Sequence, residues 1–166
     1  MSRLDWRPMT GDDIDAVVTV AAAAFPDHFE ARGCFEDRLA LNPRGCLVLA
    51  EPDGPAQGYL IAYPWPVDSA PPLNGRLATL PPSAAVLYLH DLALLPTARG
   101  GGHARTGVSR VAALARADGW STIALVAVND AVTFWEGQGF VVRDTPALHD
   151  KLAGYGPDAR YMVRGV

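Results

Sequence analysis

Apolar positions along the chain follow two periods. Ile14, Val17, Val18, Ala21 and Phe25 share one face of a helix between Thr10 and Pro26. Thr10 with Asp13 three residues on forms a capping box, and Pro26 stops the pattern. A poorer helical pattern runs from about Phe29 to Leu41, with Phe35 and Leu39 on one side. Arg3 to Met9 reads as a short first strand. Gly45 to Glu51 and Gln57 to Pro64 read as two strands, and the turn Glu51 to Pro55 makes them an antiparallel hairpin. Ala85 to Leu95 is a further strand. Ala104, Val108, Val111, Ala112 and Ala115 then line one face of a helix over 104–118. Ser121 to Val128 is apolar throughout after its start, as in a strand buried on both faces. Strand, helix and strand make a βαβ unit, so 85–95 and 121–128 are expected to be parallel. Asn129 or Asp130 caps a short helix through Phe134 and Trp135, which Gly139 ends. Phe140 to Arg143 is a strand, and a loop with Gly154, Gly156 and Pro157 leads to the last strand, Arg160 to Val166. The order βααβββαβαββ predicts an α+β fold: a mixed, mostly antiparallel sheet with one parallel crossover.

Six prolines between Pro64 and Pro82 break this patterning. Their density excludes helix and central strand. Such a segment is either a loose surface loop or one wall of a substrate site. The 166 residues suit one domain spanning 1–166, and 49% hydrophobic residues supply a core. A net charge of −4 gives no basic face for nucleic acid. No apolar run approaches the roughly 18 to 20 residues of a membrane helix, and the N-terminus has no signal-peptide core. Cys34 and Cys46 are too few for a disulfide framework and are expected to be reduced thiols in a cytoplasmic protein. No Cys–His cluster has zinc spacing, so no metal is expected.

The strand 85–95, the glycines 100–102 and the helix from Ala104 together form an anion-binding device. Glycines allow close backbone approach, and the first helical N–H groups lack internal partners. Arg99, His103 and Arg105 surround the same turn. A Walker A loop needs Gly-Lys-Ser/Thr, which is absent. The dinucleotide fingerprint counted from Gly100 needs glycine at 105, where Arg stands.

Arg99-Gly-Gly-Gly-His-Ala104 does fit the R/Q-x-x-G-x-G/A motif, and Asn129-Asp-Ala-Val-Thr-Phe-Trp-Glu-Gly-Gln-Gly-Phe140 looks like the segment N-x-x-A-x-x-F-Y-x-x-x-G-F. The pair resembles the GCN5-related N-acetyltransferase (GNAT) family, and the element order agrees over nearly the whole chain. The resemblance implies acetyl-coenzyme A as cosubstrate. Its pyrophosphate would rest on Arg99, Gly100, Gly101, Gly102, His103 and Ala104. Its pantetheine arm would bond main-chain groups of Ala93 and Leu94, its thioester would lie near Leu92 to Leu94, and Asn129 would contact it further on. That requires strands 85–95 and 121–128 to splay apart.

Acetyl transfer to an amine then needs a base, a donor for the developing oxyanion such as the N–H of Leu92 or Leu94, and a fate for the thiolate. His90 is the first expected base, placed by regular alternation on the face of Leu92. Asp91 is the second, pointing the other way unless a bulge intervenes. Glu51 is a weaker third. The family's usual acid, a tyrosine, is replaced by Trp135, whose indole N–H donates but is no useful acid at neutral pH. Tyr155 or Tyr161 is the expected substitute, unless water serves or the thiolate leaves unaided. Trp65, at the start of the proline-rich segment, is a candidate for lining the acceptor pocket. The expected acceptor is the amine of a small molecule or peptide. Two alternatives stay open: a non-catalytic acyl-coenzyme A sensor, which Trp135 would suit, and transfer of a longer acyl group. A homodimer is also left open.

Overall fold

The computed structural model describes residues 3–166. Seven strands form one sheet in the order β1-β2-β3-β4-β5-β7-β6: β1 Asp5–Pro8, β2 Cys46–Ala50, β3 Gly58–Trp65, β4 Val86–Leu94, β5 Thr122–Ala127, β6 Val141–Val142 and β7 Arg160–Gly165. Every neighbouring pair is antiparallel except β4 and β5. The helices are α1 Ile14–Ala24, α2 Arg32–Leu41, α3 His103–Ala117, α4 Val132–Gly137 and α5 Pro146–Leu152.

Two apolar layers sandwich the sheet, as alternating strand positions require. Trp6, Leu60, Leu87 and Leu89 meet Val108, Val111, Ala112 and Ala115 of α3 on one face. Tyr59, Ile61, Tyr63 and Tyr88 meet Ile14, Val17, Val20 and Phe35 of α1 and α2 on the other. The Thr10–Asp13 capping box is present, heading a 3₁₀ turn at Gly11–Asp13 that leads into α1. Arg7 holds the Asp13 carboxylate with both guanidinium nitrogens at 2.9 Å.

The expected boundaries need correction at three places. The loop before the last strand contains a helix, α5, entered through Pro146 at a first-turn position where a missing N–H costs nothing. The strand at 140–143 is only two residues long. The regular alternation assumed for 85–95 fails: Ile61 pairs with Asp91 and Ala62 with Leu89, so His90 is the extra residue of a β-bulge.

That bulge and one short ladder build the site. Past the bulge, Asp91 stays on the face of Tyr88 and His90, while Leu92 packs with the α3 layer. His90 is therefore not on Leu92's face. The parallel ladder between β4 and β5 has two rungs, Leu87–Ile123 and Tyr88–Ala124. Among the described residues, β4 from Leu89 onward has no strand against its β5-facing edge.

Candidate active site at the strand fork

A cavity of about 380 Å³ fills the fork. Leu89, Leu92 and Leu94 line one arm, and Leu125, Val126 and Val128 the other. It reaches Ala104 in the first turn of α3 at one end and Phe25, His28 and Glu30, between α1 and α2, at the other.

The glycine turn stands at the first of these ends. Gly100 and Gly102 have φ of +88° and +77°, where side chains are strained, and a Cβ at either would meet nothing within 4 Å. The backbone is thus open to an approaching ligand. Gly102 caps α3, and the first internal bond runs from the Thr106 N–H to the Gly102 carbonyl. The N–H groups of the first turn are therefore left for an anion. Arg99 is exposed, and Nη2 reaches the Leu94 carbonyl at 3.3 Å. The His103 ring lies against Gly101, and its carbonyl accepts from Trp6 Nε1 at 2.9 Å. Trp135 is buried in the cavity wall, edge-on to Phe134 and Phe140. Asn129 has φ of +55° and an exposed side chain outside the wall, in the turn between Val128 and Ala131, which both line it.

At the opposite end lies a buried polar chain that the sequence analysis found only in part. His90 Nε2 sits 2.7 Å from Glu30 Oε1, and Nδ1 sits 3.1 Å from the Tyr63 hydroxyl. Both ring nitrogens are engaged, and the side chain is 1% exposed. Glu30 Oε2 accepts from Arg38 Nη2 at 2.6 Å and from the Asn74 N–H at 3.1 Å. Asp91 Oδ2 accepts from the Tyr59 hydroxyl at 2.8 Å and lies 4.0 Å from His90 Nε2. Burial pushes the Glu30 carboxyl upward, but His90 and Arg38 outweigh it and hold it at about 2. Burial dominates at Asp91 and, with the neighbouring Glu30 charge, raises its carboxyl above the usual carboxylate range despite His90, Arg38 and Tyr59. A buried carboxyl poised upward beside a cavity is a common base arrangement.

The remaining expected site residues fall as follows. Tyr155 lines the cavity, but its hydroxyl donates to the Pro71 carbonyl, and burial raises its pKa and so keeps the phenol protonated. Tyr161 accepts from the Asp68 N–H at 3.1 Å. Trp65 packs edge-on against Tyr63 and is no part of the cavity wall. Glu51 is exposed and also outside it. Pro64 and Trp65 at the head of the proline-rich segment belong to β3, against the expectation of no central strand there. Beyond Trp65 it forms neither helix nor strand and is tied down: Leu77 N–H to Asp37 at 2.7 Å, Ala31 N–H to Asn74 at 2.7 Å, and Arg143 to Asp68. Leu73 brings it to the cavity. Cys34 and Cys46 are free and buried, and burial pushes the Cys46 thiol to about 12.

Glu30 and Arg38 were missed in the sequence. The available signal was Arg38 on the stripe of Cys34 and Phe35, because an arginine on an apolar helix face needs an anion beside it. Glu30, His90 and Asp91 offer ligand atoms within 4.8 Å of one another, the spacing of a metal site. Arg38 already supplies the cation that Glu30 holds.

The acetyltransferase (GNAT) family model matches residues 6–140, and the chain belongs to that family. The chain is similar in structure to a GNAT-like decarboxylase, GphF, solved with isobutyryl-CoA (TM-score 0.78, 19% identity, 97% of this chain and 98% of that one). It is similar to Ard1 from Thermoplasma volcanium (0.75, 16%, 99% of each). It is also similar to the PaiA N-acetyltransferase from Thermoplasma acidophilum, solved with coenzyme A (0.70, 13%, 100% of each). At these identities the likeness concerns the fold. No curated protein sequence matches the chain. Among the described residues no helix is long and apolar enough to cross a membrane.

Proposed function

We propose that this chain, acting as one GNAT domain over residues 1–166, moves an acetyl group from acetyl-coenzyme A to a primary amine. One observation carries the reading: a cavity runs from Ala104, in the helical turn that follows the open glycines, to Asp91 through the fork between β4 and β5. In this reading Arg99 to Ala104 hold the pyrophosphate, while Leu92, Ala93 and Leu94 line the pantetheine arm. Trp135 and the turn at Asn129 bound the far side. Acetyl-coenzyme A supplies the acyl group as an activated thioester.

The chain's own groups handle protons and charge. An amine reaches the site as ammonium and must shed a proton before its nitrogen can attack. Asp91 accepts that proton. Tyr59 holds Oδ2, and among the described residues Oδ1 has no hydrogen-bond partner. His90 is a positioning residue, because neither nitrogen is free to meet an amine. It fixes the bulge that turns Asp91 toward the cavity. The open edge of β4 offers main-chain N–H groups to the developing negative charge. With the Tyr155 proton donated to Pro71, the leaving group departs as a thiolate without a dedicated acid, which the acidity of a thiol relative to an alcohol tolerates.

The test is acetyl-coenzyme A binding by calorimetry together with mass spectrometry of amines after incubation. An acetylated amine at many times the uncatalysed rate is expected. Tight binding with no acetylated product over background would refute the enzyme reading and leave an acyl-coenzyme A sensor.

A further inference from the structure

The acceptor end of the cavity has a chemistry of its own. Its walls are Val18, Ala21 and Phe25 of the α1 region, Phe35 of α2, and Leu73 of the proline-rich segment. Phe29, 70% exposed, stands at the rim. No lysine or arginine is among the lining residues. The polar groups there are mostly spent on the protein. Glu30 is taken by Arg38, His90 and Asn74; His90 by Glu30 and Tyr63; Tyr59 by Asp91; and Tyr155 by Pro71.

Two capacities remain, and both are acceptors. Asp91 Oδ1 is one. The other is His28 Nδ1, which is buried and has no partner among the described residues. His28 Nε2 lies 2.7 Å from the Tyr155 carbonyl, which can only accept, so Nε2 carries the proton and Nδ1 keeps a lone pair in the neutral ring.

We infer that the acceptor is a primary amine on a compact apolar arm, an aralkylamine or alkylamine, with no carboxylate, no sugar-like hydroxyls and no peptide chain. This rests on the N-acetyltransferase reading above. An ammonium head donates several hydrogen bonds, and the unpaired side-chain capacity of the lining, at Asp91 and His28, is for accepting them. An aromatic or alkyl arm buries itself on Phe25, Phe35 and Leu73. A carboxylate would find no lysine or arginine in the lining and would face the Glu30 and Asp91 carboxyls, at the cost of stripping its water. A sugar or a peptide backbone would bring polar groups that the apolar walls leave unpaired.

The experiment uses the full chain and acetyl-coenzyme A and measures release of free coenzyme A thiol. The acceptors are 2-phenylethylamine, hexylamine, glutamate, glucosamine, spermidine and a short peptide with an N-terminal methionine. The two apolar amines are expected to exceed the other four in kcat/KM by about a hundredfold. Leu73→Arg should raise the KM for 2-phenylethylamine about tenfold or more while leaving the KM for acetyl-coenzyme A unchanged. A preference for glutamate, glucosamine, spermidine or the peptide overturns this acceptor class and leaves the transferase reading standing. An unchanged KM in Leu73→Arg also overturns it. No thiol release with any acceptor, despite acetyl-coenzyme A binding, overturns both.

Discussion

Replacing Glu30 with alanine would strip the anion from a guanidinium that is wholly buried. Arg38 is 0% exposed, and its Nε and Nη1 already lack partners among the described residues. Removing one member of a buried ion pair typically costs about 3–5 kcal/mol, because the other charge is left uncompensated. A second route gives a similar figure. The Glu30 carboxyl is depressed from 4.5 to about 2, which corresponds to about 3 kcal/mol at about 1.4 kcal/mol per pH unit. Its sign follows from the depression: the contribution is fully present above 4.5 and is lost as the pH falls toward 2. Urea unfolding at pH 7 should therefore show Glu30→Ala less stable by about 3 kcal/mol, with its deficit against the parent shrinking at acid pH. Adding Arg38→Met should recover part of the loss, since no charge is then stranded. A loss under about 1 kcal/mol, or a double variant as unstable as the single, would refute the reasoning.

Asp91→Asn should lower kcat by about 10² to 10⁴ with acetyl-coenzyme A affinity retained; equal rates would return the base to another group. Because the Asp91 carboxyl is raised, the parent's acid limb in a kcat/KM–pH profile should fall above the ordinary carboxylate range, and an acid limb near pH 4 would contradict its assignment. Gly102→Val forces a branched side chain to φ of +77°, and calorimetry should register acetyl-coenzyme A binding at least tenfold weaker while circular dichroism stays native. In Gly107→Ala the new Cβ lies 2.9 Å from Trp6 Cζ2 and 3.2 Å from Leu92. The indole is anchored through Nε1, so overpacking should cost about 1–3 kcal/mol and outweigh the gain in helix propensity; a higher Tm would show that the indole yields freely.

The glycine turn was legible because its residues are consecutive. Three glycines before a helical stripe can be read without tertiary knowledge, and the Thr10–Asp13 capping box is equally local. The buried polar cluster of Glu30, His90 and Asp91 was not legible, for a physical reason. Glu30 and His90 are 60 positions apart and meet only when the segment between α1 and α2 crosses β4. The bulge at His90 depends on how β3 and β4 register, which no local pattern encodes. A slip of one residue there changes which side chain reaches the cavity. Helix α5 escaped notice because its Pro-Ala-Leu-His-Asp-Lys-Leu run offers Leu148 alone as a buried position.

The two-rung ladder between β4 and β5 bears on how the protein endures in a cell. Backbone pairing between the two parts of the sheet is thin, and an extended ligand bonded along the vacant edge would complete it from outside the polypeptide. Anything that binds the native state alone stabilises it by mass action, about 2.7 kcal/mol at a hundred times its Kd. If the edge holds acetyl-coenzyme A, resistance to proteolysis would rise and fall with the metabolic supply of that thioester, and the amount of folded protein would itself report nutrient state.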